Sequence, residues 1–230
     1  MSNCARFLAI KGTRAGISTE AEKYLSNCPA PLVADTSVVI NLIATGLASP
    51  IIETLPQPFV VVDIVRSELA IGRGRGRMDS EQFDELVSNG IVKVVTLGDF
   101  GMQHFEGLVI GAAAETVDDG EAATIAYAIE HSGVAYIDER KAWRICSERY
   151  HALKVGCTVD LLTHADVRSR LSDETVAVAI FNALQRGRMS VLPTHFNVVV
   201  SLIGAERAAL CESLPRSIRV SQKNRSISRF

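Results

Sequence analysis

From residue 31 onward the chain alternates short β-branched apolar runs with longer stretches of helical period, the signature of βαβ units around a parallel sheet. The candidate strands are Leu32–Ala34, Phe59–Val62, Val92–Thr96, Val134–Ile137 and Lys154–Cys157. Nearly every gap between them has room for a helix, as parallel pairing requires. Capping residues mark several of these helices. Asp79 and Ser80 predict a helix that must end by Asn89 and Gly90, and Asp118 and Asp119 one that runs from Gly120 to His131 and closes at Gly133. Ser172 or Asp173 opens another toward Arg186, and a helical period continues from His195 to Glu212. The pattern predicts an α/β fold: a three-layer sandwich with a central parallel sheet flanked by helices.

A chain of 230 residues, 47% hydrophobic and 22% charged, can bury a sizeable core in one domain. No apolar run approaches the ~20 residues that span a bilayer, which argues against a membrane protein or a secreted precursor. The five cysteines (Cys4, Cys28, Cys146, Cys157, Cys211) are scattered and never spaced as CxxC, so the expected setting is reducing and cytoplasmic. The formal charge of −2 hides an uneven distribution: net +2 over residues 1–30, −9 over 31–214 and +5 over 215–230. That division suggests an N-terminal appendage (1–30) and a basic tail expected to be disordered (215–230), and between them the strand–helix pattern suggests an α/β domain (31–170) with a C-terminal helical extension packed on it (171–214).

In an open parallel sheet, ligands sit beyond the carboxyl ends of the strands. Acids recur there: Asp35 follows PLVA, Asp63 follows FVVV and Asp138 follows VAYI, while Glu68 and Glu121 lie on helices leaving the same edge. Any one of them is more often a helix cap than a ligand, and for Asp63, Asp118 and Asp119 the cap is the preferred reading. Four acids together are different. Like charges about 5 Å apart repel by roughly 3 kcal/mol per pair at an effective dielectric near 20. Gathering Asp35, Glu68, Glu121 and Asp138 at one edge therefore calls for a cation or for raised pKa values.

An all-oxygen donor set suits Mg²⁺ or Mn²⁺, which can lower the pKa of an attacking water and neutralise a phosphodiester. Zinc would want His or Cys, and His104, His131, His151, His164 and His195 show no ligand spacing. Other phosphate chemistries lack their motifs. Ser37 stands where a haloacid-dehalogenase-type phosphatase needs a second Asp, and there is no GxxxxGK[ST], no GxSxG and no clear receiver-type Lys at a strand end.

The runs VADTSVVINL, VVDIVRSELA, DDGEAATIAYA and VAYIDERKAWRIC, in that order, resemble the motif set of the PIN-domain family, in particular the small nucleases related to VapC-type toxins. The likeness covers about Leu32 to Arg168. It implies a PIN-like sandwich whose acids, here Asp35, Glu68, Glu121 and Asp138, bind Mg²⁺ or Mn²⁺ and cleave RNA, usually single-stranded. Ser37 and Asn41 match small or polar positions expected to orient carboxylates or water, with N-cap and solvated helix residue as the competing readings. Glu139 stands where relatives often carry a second Asp, and is either a water-mediated ligand or a helix start. Asp160 is either an additional site acid or a helix-start residue, the latter being the preferred reading. The partners the likeness admits are RNA, an antitoxin protein and a second copy of the chain. The competing function is a PIN-like module that binds RNA or protein without cutting.

For substrate grip, the loop IGRGRGRMD alternates Arg73, Arg75 and Arg77 with glycine, a pattern that suits phosphate as well as it suits a solvated loop. Arg140, Lys141 and Arg144 follow Asp138 and could also reach phosphate, although Arg144 and Glu148 form an i,i+4 pair. Trp143 and Tyr150 could stack on bases but at helical spacing read as core. The tail offers Arg216, Arg219, Lys223, Arg225 and Arg229 for non-specific contact.

Overall fold

A computed structural model describes residues 30–73 and 79–219. The first 29 residues, Arg75, Arg77, the side chain of Arg73 and the tail beyond Arg219 lie outside the described residues. Five strands form one all-parallel sheet: β1 (Leu32–Ala34), β2 (Phe59–Val62), β3 (Lys93–Val95), β4 (Val134–Tyr136) and β5 (Lys154–Gly156), in the order β3-β2-β1-β4-β5. All five coincide with the runs read from the sequence, three of them a residue or two shorter. The register pairs Val33 with Val60 on one side and with Ala135 on the other, so β1 is the central strand.

The pleat sends alternate side chains to opposite faces. Leu32, Ala34, Phe59, Val61 and Tyr136 join one buried cluster, while Val33, Val60, Val62, Ala135 and Ile137 join a second. Helices α1 (Thr36–Ala44), α3 (Asp63–Arg73) and α4 (Asp79–Ser88) contribute Leu42, Leu69 and Phe83 to the first cluster. Helices α5 (Asp99–Val109), α6 (Asp119–Glu130) and α7 (Arg140–Arg149) contribute Leu108, Ile125 and Ile145 to the second. A short α2 (Ala48–Ile52) precedes β2. The result is the expected three-layer sandwich.

After β5 come α8 (Thr158–Leu162), α9 (Ala165–Arg170) and α10 (Asp173–Asn182), the last capped by the Ser172 hydroxyl accepting from Thr175 N–H. α10 does not run on to Arg186 as one α-helix. It passes into a π-helical turn (Ala183–Gly187) and stops at Arg188, whose backbone is left-handed (φ 54°, ψ 38°). A left-handed non-glycine residue ends the helix abruptly. The final helix, α11 (Phe196–Ala209), is broken at Gly204, whose φ of 82° is open to glycine at little cost. Ile180, Leu184, Met189, Val199 and Ile203 from this region lie in the same cluster as Leu32 and Phe59. No helix among the described residues is long and apolar enough to cross a membrane.

Because Ile180 is fully buried in the core that also covers the sheet, Ile180→Ala should lower the unfolding free energy by about 2–5 kcal/mol. Urea denaturation should show that loss as a shift of one cooperative transition; a separate early transition for the C-terminal helices would contradict a shared core.

Candidate active site: an acidic pocket at the sheet's switch point

The chain leaves β3 at one edge and returns to β4 beside the central β1, so the strand order reverses between β1 and β4. In open α/β sheets the crevice outside such a reversal is where ligands bind. Asp35 directly follows β1, Asp138 lies just beyond β4, and the Asp35 N–H donates to the Tyr136 carbonyl across the gap at 3.2 Å. Strand pairing thus sets the two carboxylates side by side, 3% and 2% exposed.

Each is held by a dedicated set of donors. Asp35 is the N-cap of α1, its Oδ1 accepting from Val38 N–H at 2.8 Å, and Ser37 Oγ lies 3.1 Å from both carboxylate oxygens. Asp138 accepts from Asn41 Nδ2 at 2.7 Å, from Thr158 Oγ1 at 2.6 Å and from Thr158 N–H at 2.8 Å. Asn41 is 2% exposed, so it is no solvated helix residue. Glu121, in the first turn of α6, accepts from Asp118 N–H at 3.4 Å as one arm of a capping box.

Burial and crowding raise the proton affinity of all three acids. Burial drives the Asp35 carboxyl well above its usual range, Asp138 and Glu121 add to the rise, and the Val38 and Ser37 hydrogen bonds oppose it. Burial also lifts Asp138, against the bonds from Thr158 and Asn41. Glu121 is pushed up to about 7 by burial, against the Asp118 N–H hydrogen bond, with the charges of Asp118 and Glu139 adding and Lys141 subtracting. Desolvation disfavours the charged carboxylates, and neighbouring negative charge compounds it.

Ser37, Asn41, Glu121, Asp138 and Glu139 line a pocket of about 270 Å³ together with Ile40, Gly187, Arg188 and Ser190. Glu68 does not line it. Its carboxylate accepts from Thr36 Oγ1 and, at 2.9 Å, from Gly120 N–H, tying α3 to the starts of α1 and α6 immediately beside Asp35 and Glu121. A Cβ at Gly120 would collide with that carboxylate, which gives the glycine of the GE pair a packing reason. Glu139 is the N-cap of α7 as well as a wall of the pocket. Arg140 is exposed in the first turn of α7. Arg144 is engaged with Glu148 at 2.9 Å and with the Ala114 carbonyl at 2.6 Å, and the Trp143 indole donates to the Ile137 carbonyl, so neither is free for substrate.

Two features were not visible in the sequence. The first is the contribution of the π-turn: Gly187 packs against Asn41, and Arg188 supplies a cation at the pocket wall. The second is a grouping that the spacing of the histidines does not show. His195 meets Cys157 and Asp160, and Asp160 is more than a helix start.

The residues present suit a hydrated divalent cation. The acids offer oxygen alone, the buried Asn41 Oδ1 has no hydrogen-bond partner, and at ~30 Å³ per water the pocket holds an ion with several waters. The sequence matches a family model described as DUF3368, PIN domain, over residues 31–205. No curated protein and no solved structure matches it.

The raised carboxyl pKa values mean that the folded chain binds more protons than the unfolded chain between the ordinary carboxyl range and about 7. In EDTA this term makes stability fall as pH rises through that window. Asp35→Asn removes one of the raised acids while keeping an acceptor for Val38 N–H. Its melting temperature should therefore exceed the wild type's by several degrees at pH 7.5, at roughly 2–4 °C per kcal/mol, and by less at pH 4.5. Calorimetry across pH checks the sign; a variant less stable than wild type at pH 7.5 would make Asp35 a structural cap only.

Proposed function

The chain belongs to the PIN-domain family, and on that footing we propose that it is a Mg²⁺- or Mn²⁺-dependent ribonuclease hydrolysing phosphodiester bonds of RNA. The observation that carries the proposal is the burial of Asp35 and Asp138 side by side at the switch point, with Asp138 and Glu121 lining one pocket. A module that only binds RNA or protein has no physical need for mutually repelling buried carboxylates.

Asp35, Glu121 and Asp138 would hold the cation, with Glu68 at their border. When bound, such an ion activates water for attack and neutralises charge building on the phosphodiester. The chain's own residues supply orientation. Ser37 fixes the Asp35 carboxylate, Asn41 and Thr158 fix that of Asp138, and the rotamers of both acids are thereby set before substrate arrives. At the rim, Arg188, Arg140 and Lys141 are the cations available to the phosphates flanking the scissile bond. A pocket this small admits a bent single strand more readily than a stiff duplex, which favours single-stranded RNA. Action as the toxin of a toxin-antitoxin pair, with an antitoxin or a second copy of the chain as protein partner, is part of the same proposal.

Purified protein should cut single-stranded RNA with Mg²⁺ or Mn²⁺ and not with EDTA, and Asp35→Asn and Asp138→Asn should each lower the rate by at least ~100-fold while circular dichroism stays unchanged. Undiminished cutting by both folded variants would sink the assignment, and RNA binding without cutting by the wild type would favour the non-catalytic module.

Truncation tests the tail separately. A chain ending at Arg219 loses Lys223, Arg225 and Arg229, and its RNA affinity should fall, with the slope of log K against log salt reduced by about 2 at ~0.7 per phosphate contact. An unchanged slope would remove the tail from the RNA interface.

A further inference from the structure

We propose that Cys157, Asp160 and His195 form a second metal site, suited to a zinc-class transition-metal ion and distinct from the acidic pocket in its donor chemistry. Among the described residues, this is the group of three metal-ligating side chains whose donor atoms all lie within 4.8 Å of one another. Its parts come from two places in the fold. Cys157 is the N-cap of α8 and Asp160 sits one turn into that helix, whereas His195 ends the 3-10 turn (Pro193–His195) that leads into α11.

The geometry is that of a partly assembled tetrahedron. His195 Nε2 lies 2.9 Å from Asp160 Oδ1 and 3.9 Å from Cys157 Sγ. Tetrahedral bonds of about 2.0–2.3 Å to N, O and S donors put those donors roughly 3.4–3.6 Å apart, so shifts of about half an ångström bring both His195 pairs to that separation, with the third pair within 4.8 Å. The three donor atoms lie close enough together that one ion between them would bond all three. The surroundings already orient each ligand. Asp160 Oδ2 accepts from Cys157 N–H at 2.9 Å, which leaves Oδ1 for the ion, and His195 Nδ1 lies 3.1 Å from Thr194 Oγ1, the outer partner that fixes a ligating imidazole.

Exposure fits as well. Cys157 is buried, while the side chains of His195 and Asp160 are 19% and 40% exposed, so three protein ligands face a fourth position open to water. Burial and the Asp160 charge hold the Cys157 thiol above its usual range, a bias that a bound cation reverses. The mixed N, O and S donors favour zinc-class ions over Mg²⁺, in contrast to the all-oxygen pocket. An ion here would clip the start of α11 to the β5–α8 junction, where Thr158 holds Asp138.

The test is a Co²⁺ titration of the metal-stripped full chain with Mg²⁺ present in excess. The expected result is a thiolate-to-cobalt charge-transfer band in the near ultraviolet with tetrahedral visible bands, saturating at one Co²⁺ per chain and displaced by Zn²⁺. Cys157→Ser should abolish the charge-transfer band, His195→Gln should weaken binding at least about tenfold, and Asp35→Asn should leave the spectrum unchanged. Zn²⁺ at a hundredfold excess over its Kd should raise the wild-type melting temperature by roughly 5–10 °C and that of His195→Gln far less. A folded wild type without the band, or a band that survives in Cys157→Ser, overturns the proposal. Because none of these readings depends on RNA cleavage, an inactive enzyme leaves the result intact.

Discussion

Two carboxylates buried side by side, Asp35 and Asp138, are the constraint around which this fold is arranged. Neither position is a choice of loop geometry, because Asp35 directly follows β1, Asp138 comes just after the neighbouring β4, and the strands are hydrogen-bonded in fixed register. Burying a charge is costly unless hydrogen bonds replace its water. Five bonds converge for that purpose from Val38, Ser37, Asn41 and Thr158, drawn from the first two turns of α1 and the start of α8. The π-turn after α10 completes the pocket wall, with Gly187 packed so closely on Asn41 that a Cβ there would overlap the Asn41 side-chain oxygen.

Those bonds do not cancel the repulsion. Burial is the largest influence on Asp35, Asp138 and Glu121 alike, and all three remain shifted toward the neutral form. Closely coupled acids titrate as a set, so their protons belong to the site more than to any one residue. Lys141 is the cation that acts on Glu121, and Arg188 stands at the wall. Neither relieves the Asp35–Asp138 pair as a divalent ion among them would. Stability is thus sacrificed locally, as the proposed cation site would require.

Much of this was legible in the sequence, and for a physical reason. Strands buried on both faces read as continuous β-branched runs, and FVVV could hardly be anything else. Acids at strand exits follow from the same reading, as do the Asp118 and Ser172 caps. Less legible was α5, whose sequence DFGMQHFEGLV carries two glycines, and the π-turn, because an apolar period records which face is buried and not how the backbone closes. Side-chain partners distant in sequence were invisible altogether. Asn41 reaches Asp138 across 97 positions and His195 reaches Asp160 across 35. Helical spacing places Asn41 one turn beyond Ser37, yet only the strand order brings that turn over Asp138.

The β5–α8 junction shows how two incompatible chemistries can share one stretch of backbone. Cys157, Thr158 and Asp160 are nearly consecutive, but the first helical turn fans them apart. Thr158 turns its hydroxyl and N–H to Asp138, while Cys157 and Asp160 meet His195. A hard oxygen pocket and a softer N, O, S cluster therefore lie on either side of one residue. On the two proposals, the all-oxygen pocket would take Mg²⁺ and the cluster a zinc-class ion, so donor type would sort the ions. An ion at the proposed cluster would stiffen the backbone on which Thr158 is held, and Thr158 makes two of the three hydrogen bonds that fix Asp138.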